Sequence, residues 1–285
     1  MKALGIKYEF IPVTDELYTV EKNDQLLKFP ENNGSEMLLK IRKNDSVCYL
    51  NDSGLYAPAG TVKHDGYMQL NHNYEILSVP DNAGKDWDFS LKLNADLSAD
   101  LTVKYYPRTV YLEKLREQFA GFTPQTEKQF FEKYAASIAP QAEISESKFD
   151  GEKLILRLHI PHFAQRSGRF ISLPLPGFKM LAADLSIPAK KRQTPYFNES
   201  NISINMDYEI SVPENFRLIQ PEELVINVHN VCFFDNYIFF NGKHLFSFMF
   251  NSLPGIFNPG AFEHLRGIKN KINDFSTGNI LFTAE

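Results

Sequence analysis

Basic residues are scarce in this chain: 30 Lys and Arg stand against 35 Asp and Glu, a formal charge of -5. A nucleic-acid binder draws much of its affinity from neutralising phosphates, so this balance sets nucleic acid aside as a partner. Cysteine is rarer still. Cys48 and Cys232 alone supply neither a disulfide framework nor a zinc site. No apolar run reaches the roughly 18 residues of a membrane-spanning helix. The amino terminus shows neither the apolar stretch nor the small-residue cleavage site of a signal peptide. G-x-S-x-G, G-x-G-x-x-G and G-x-x-x-x-G-K are missing, and with them the triggers for hydrolase-elbow, dinucleotide and P-loop readings. No cofactor is implied.

What is present is aromatic. Twenty-four Phe and 13 Tyr against one Trp, in a chain of 285 residues that is 43% hydrophobic, predict many strands and a sizeable core. Apolar residues alternate at Phe89, Leu91 and Leu93, then at Leu101, Val103 and Tyr105 after a turn-like Asn94–Asp100 stretch. The same period of two recurs at Leu154, Leu156, Leu158 and Ile160. It recurs again at Met206, Tyr208, Ile210 and Val212, with Asp207, Glu209 and Ser211 opposite. Half-buried strands of this kind belong in antiparallel sheets. Val231–Phe240 and Lys243–Phe250 flank Asn241-Gly242, a strong hairpin signal. Phe246, Phe248 and Phe250 face one way and Leu245 and Met249 the other, which predicts a sandwiched strand.

Helical spacing is confined to three places. Val110–Gly121 carries Leu112, Leu115 and Phe119. Thr123 caps a second helix with Pro124 at its first position, and Pro140 ends it. Its apolar face is Phe130, Phe131, Tyr134, Ala135 and Ile138. Asn258-Pro259 opens a third, with Phe262, Leu265, Ile268 and Ile272. The first two read as one excursion from a sheet, the third as a lid over a final sandwich. Seams are expected near Gly60–Gly66 and Lys190–Asn201. The fold class is therefore α+β, mostly β.

Candidate chemistry is thin. His159-Ile-Pro-His162 has a metal-site look, but Pro161 breaks any helix that would align the pair, and both read as strand-end histidines. His64, His72, His229, His244 and His264 are scattered, with His64-Asp65-Gly66 a turn and His264 a surface position. Cys48 and Cys232 sit in strand-like sequence and read as small buried hydrophobes, not activated thiolates. Lys190-Lys191-Arg192 reads as a solvated loop.

One resemblance gives these parts an order. Lys2-Ala-Leu-Gly-Ile-Lys7 and the strand Tyr8–Val13 resemble the start of the sheet in transglutaminase-like proteins. Met37–Ile41, a charged turn Arg42–Ser46 and Val47–Ser53 resemble that family's hairpin. Leu50–Gly60 with His64-Asp65-Gly66 is similar to the stretch leaving that core in large bacterial secreted proteins. Arg192-Gln-Thr-Pro195 and Tyr208–Phe216 look like later steps of the β-rich carboxy-terminal domain that follows. The resemblance implies a partial papain-fold sheet over residues 1–64, a β-rich domain with a helical excursion near 110–139 over residues 65–200, and a β-sandwich with a terminal helix over residues 201–285.

The family's enzymes use a Cys-His-Asp triad. Its His falls on Glu36 (Ser35 if the register slips by one), its Asp on Asn51 with Asp52 beside it, and its Cys-bearing helix would precede Met1. The resemblance thus implies a non-catalytic structural or binding portion, with an apolar edge near residues 6–13 and 37–51 open to an upstream catalytic half or a protein partner. The family's usual compartment is the periplasm or cell surface. Two alternatives stay open. In one, Asp52 is a triad acid completed by Cys and His from elsewhere. In the other, the chain is a carbohydrate- or peptide-binding sandwich using the aromatic surface Phe233–Phe240, whose plain reading is core packing.

Overall fold

The structure is a computed structural model that describes residues 7–14, 36–43, 46–50, 68–69, 84–178, 196–198, 202–219, 225–228, 231–252, 255–277 and 279–284. Both expected seams fall outside these residues except for 196–198. The chain divides into two compact units, Met1–Gly84 with Arg108–Glu117, and Lys85–Pro107 with Gln118–Glu285.

The first unit is built on β1 (Lys7–Thr14), β2 (Glu36–Lys43), β3 (Ser46–Leu50) and β4 (Met68–Gln69), ordered β3-β2-β1-β4. The β2–β3 hairpin is antiparallel with Lys43 opposite Ser46, and β1 lies antiparallel to β2 with Phe10 opposite Leu39. The register assigns faces. One buries Ile11, Leu38 and Tyr49, with the Lys40 ammonium 5.6 Å from the Tyr49 ring centre. The other collects Tyr8, Phe10, Met37, Leu39, Ile41, Cys48 and Leu50.

The second unit is organised by an eight-stranded sheet. Its strands are β5 (Gly84–Leu93), β6 (Ala99–Pro107), β7 (Glu143–Phe149), β8 (Leu154–Ile160), β12 (Ile202–Ser211), β14 (Val225–Val228), β15 (Val231–Phe240) and β16 (Lys243–Ser252). The order is β14-β15-β16-β12-β5-β6-β8-β7. The alternations read from the sequence land in β5, β6, β8 and β12, because each of these four strands buries one face: Phe89, Leu91, Leu93, Leu101, Val103, Leu154, Leu156, Leu158, Ile160, Met206, Tyr208 and Ile210 are buried, while Tyr105 is half-buried and Val212 falls just past β12. Asn241 and Gly242 join β15 to β16 with φ of 52° and 74°, the double positive φ of a type I′ turn. The expected sandwiching of β16 is only half realised: Phe246, Phe248 and Phe250 are buried, whereas Leu245 and Met249 on the other face are half-buried.

A second, smaller sheet runs β13 (Phe216–Leu218), β18 (Asn279–Ala284), β10 (Phe170–Pro174) and β9 (Gln165–Ser167), and β11 (Tyr196–Asn198) pairs with β17 (Gly255–Phe257). Phe282 of β18 meets the His244 ring edge-on at 5.2 Å, which sets this sheet against the buried face of β16.

The helices start where their caps demand. α1 spans Thr109–Ala120 and α2 Pro124–Ile138. Thr123 Oγ1 accepts from Thr126 N–H while Thr126 Oγ1 accepts from Thr123 N–H, a capping box with Pro at the first turn. Phe119, Phe122, Phe130 and Phe131 cluster with Phe149 of β7, so the end of α1 and α2 pack together beside that strand. α3 (Pro259–Thr277) is capped by Asn258, whose Oδ1 accepts from Ala261 N–H at 2.8 Å. It buries Phe262, Leu265, Ile268 and Ile272 and packs against β14 and β17.

Candidate functional site

The polar side chains that the fold brings together lie on the solvent face of the eight-stranded sheet. Construction begins with the loop between β5 and β6. Asp96 Oδ1 accepts from the Ser98 N–H at 3.0 Å and the Ser98 hydroxyl at 2.7 Å, with Leu97 held at φ 68° between them. Asn94 Nδ2 then donates to Ser98 Oγ at 3.0 Å and to Asp100 Oδ2 at 3.2 Å. All of these bonds are local to the loop, which therefore orients Asp100 by itself. The β6–β8 register puts His159 directly opposite, and its Nδ1 lies 2.9 Å from Asp100 Oδ1.

The electrostatics follow from these bonds. The imidazole, then the Asn94 amide, hold the Asp100 carboxyl below the usual carboxylate range. Hydrogen bonds from Ser98 do the same for Asp96. The Asp100 carboxylate in turn raises His159 above an ordinary imidazole. Around the pair runs a shallow groove of 390 Å³ crossing five strands. Ser90 and Lys92 come from β5, Thr102 from β6, Arg157 from β8, Ser145 from β7 and Glu209 from β12.

A carboxylate that orients an imidazole is two-thirds of a nucleophilic triad, and an exposed His so held can exchange a proton with a ligand. The third member is a hydroxyl, and Ser145, beside Arg157, donates its proton to the Arg157 carbonyl at 3.0 Å. Arg157 also bonds Glu146 at 3.1 Å, and Lys243 bonds Glu209 at 2.6 Å. Proximity in the sequence points to His162 rather than Asp100 as the neighbour of His159. The signal lay in register: Asp100 flanks the first apolar position of β6 and His159 flanks the last of β8.

The other candidates divide. His162 follows β8 exposed, at φ 52°, and His264 is exposed on α3. Among the described residues no group of three His, Cys, Asp or Glu side chains is arranged to hold a metal ion, and no helix is long and apolar enough to cross a membrane. Cys48 and Cys232 are half-buried in β3 and β15, more open than the buried positions expected, because each sits on the less covered face of its sheet. Glu36 opens β2 opposite Val13. Ser35, Asn51, Asp52, His64, His72, His229 and Lys190–Arg192 lie outside the described residues.

The aromatic segment Phe233–Phe240 is not uniform. Phe233 is fully buried, whereas Phe239 and Phe240 are 59% and 60% exposed beside the hairpin turn. Core packing accounts for the first and leaves the other two as surface.

No family model matches the chain, and no curated protein does. Among solved structures it is similar to a protein of Parabacteroides distasonis ATCC 8503 whose crystal structure is described as that of a "putative protease". The identity is 13% and the TM-score 0.45, over 99% of this chain. The chain spans 41% of the length of that protein.

Proposed function

We propose that this chain is a non-catalytic, binding portion of a transglutaminase-like protein. The observation that carries the reading is the apolar face of the first sheet. Phe10 and Met37 are 60% and 55% exposed, Tyr8 is exposed beside them, and Leu39, Ile41, Cys48 and Leu50 are half-buried on the same face. A sheet face of this composition gains by being covered, at about 25 cal/mol per Å² of apolar area removed from water. In the family that the hairpin resembles, the strand start carries a catalytic His; here β2 starts on Glu36. A carboxylate is not the imidazole that takes the thiol proton in that triad. The proposed occupant of the face is a catalytic half or another protein partner, in the periplasm or at the cell surface.

The test is an acyl-transfer and peptidase assay on the purified chain, with and without reductant. No turnover is expected, and Cys48→Ser and Cys232→Ser should leave that background unchanged. Turnover that requires either thiol would overturn the reading in favour of a composite or complete cysteine enzyme. A second reading, a carbohydrate- or peptide-binding module, draws on exposed Phe239 and Phe240. Glycan binding lost in Phe240→Ala with the circular dichroism unchanged would favour it.

A further inference from the structure

The eight-stranded sheet ends on β7, and β7 has a helix beside it. Glu143–Phe149 pairs with β8 along one edge, and among the described residues no strand pairs with the other. An unpaired edge presents N–H and C=O groups at the spacing of a further strand, here over Glu146–Phe149, since a bulge at Ser145 interrupts the ladder before them and brings Ile144 and Ser147 to one face. Glu146 and Lys148 stand across from Arg157 and Ile155 on the solvent face, so they flank this edge without covering it. Ile144 and Ser147 stand across from Leu158 and Leu156, on the face that α2 covers.

Between that face of β7 and α2 lies a groove of 650 Å³. Residues 139–142 join α2 to β7, so the two elements run antiparallel and the groove has two unlike ends. At the connection it is lined by Ala136, Pro140, Ala142 and Ile144, an apolar pocket with Phe131 at its floor. At the start of α2 it is lined by Pro124, Glu127, Lys128 and Ser147, with Glu132 between the two ends. Lys128 is turned to Glu132 at 3.7 Å, leaving the Glu127 carboxylate as the local excess charge. Glu127 also faces the positive end of its own helix, a purely structural role that the test below separates.

We propose that this groove receives an extended peptide strand, which adds to the open edge of β7 and places alternate side chains beneath α2. Successive side chains on one face of a strand lie about 6.8 Å apart, twice the rise per residue. The occupant therefore carries a small apolar residue at the connection end and a basic residue two or four positions along, against Glu127. Backbone hydrogen bonds to β7 supply affinity, and the two unlike ends supply direction. This inference uses only the second unit and does not rest on the transglutaminase-like reading.

The probes are fluorescein-labelled heptapeptides of alternating Thr with Val at one α2-facing position and Lys at another. Control versions carry Glu for Lys, or N-methyl groups on alternate amides. Fluorescence polarisation should show the Lys peptide binding about tenfold more tightly than the Glu peptide, a ratio worth ~1.4 kcal/mol. One of the two N-methylated frames should abolish binding, since only one presents its amides to β7. Ala136→Trp, an exposed helix position that fills the apolar end, should abolish it with the circular dichroism unchanged. Glu127→Gln should remove the preference for Lys over Glu while keeping the peptide bound, which a structural role for Glu127 would not do. No binding by any probe overturns the proposal. So does affinity indifferent to N-methylation, or binding retained in Ala136→Trp. A concentration-dependent dimer lost in Ala136→Trp would assign the edge to a second copy and overturn it equally.

Discussion

The eight-stranded sheet is two materials on one backbone. Over β6 and β8 its buried face is aliphatic, with Leu101, Val103, Leu156 and Leu158 at its centre, and the solvent face there and on β7 is polar and ion-paired. From β5 across β12 and β16 to β15 the buried face is built around rings: Tyr208 stacks on Phe89 at 4.6 Å, and Phe248 stands edge-on to both Tyr208 and Phe178. On that side the solvent face keeps Phe234, Ile238 and Phe240 exposed. The same strand geometry therefore serves two kinds of cohesion. Aliphatic layers tolerate repacking, whereas stacked rings depend on particular centroid distances and on the close approach of backbone.

The largest test of that contrast is a pair of core truncations. Phe89→Ala, at the meeting of the two halves, should cost about 4 kcal/mol, and Leu156→Ala, deep in the aliphatic half, about 3 kcal/mol. Trp87, the single tryptophan, is buried one pleat from Phe89 and reports both by its fluorescence in urea unfolding. If Leu156→Ala proves the costlier, ring stacking is not what distinguishes the halves.

Gly177→Ala sharpens the same point without removing a contact. Gly177 has φ +85°, and a Cβ there would lie 2.6 Å from Phe89 Cζ and 3.1 Å from Met206 Cε. The Tyr208 hydroxyl donates to the neighbouring Pro176 carbonyl at 2.7 Å, so the loop cannot retreat without breaking that bond. We expect a loss of about 2–4 kcal/mol, from left-handed strain and overpacking together. Gly242→Ala is the control: it shares a positive φ of 74° but has nothing within 4 Å, so only the backbone strain of about 1–2 kcal/mol should appear. Equal losses at the two glycines would show that packing at Gly177 is slack.

What the sequence made legible follows physical lines. Period-two alternation marked β5, β6, β8 and β12 because each strand has one covered face. Asn241-Gly242, Thr123-Pro124 and Asn258-Pro259 marked ends because each answers a local stereochemical demand. Strand order was not legible. Asn205 donates to Asp86 at 2.6 Å across 119 residues of chain, and nothing local to β12 specifies β5 as its neighbour. The short strands β9, β13, β17 and β18 escaped because three to six residues carry too little pattern to distinguish strand from loop. The Asp100–His159 pair depends on register, and register is a property of two strands that neither sequence states alone.

The smallest expected effect is the most diagnostic, because the two halves each hold a histidine and treat it oppositely. His159 is exposed on the aliphatic half and held by Asp100. His244 is buried on the aromatic half, ringed by Tyr237, Phe239 and Phe282, with the Tyr237 hydroxyl 3.0 Å from its Nδ1. The carboxylate raises His159, and burial lowers His244. A raised folded-state pKa contributes stability that is complete below the unfolded value of about 6.5 and is lost as pH rises through the folded value. A depressed one contributes stability present above about 6.5 and lost as pH falls through the folded value. Asp100, itself depressed, adds its contribution above about 3.9 and loses it on acidification. The His159–Asp100 pair therefore acts between about pH 4 and 6.5 and fades on the alkaline side, while His244 weakens the fold on the acid side. Heteronuclear NMR titration of the imidazole carbons should place His159 above about 6.5 and His244 below it. Asp100→Asn should bring His159 back toward the ordinary value and leave His244 where it was. A shift of both histidines in Asp100→Asn would mean that the two halves are electrostatically one surface, and the division drawn from their packing would not extend to their charge.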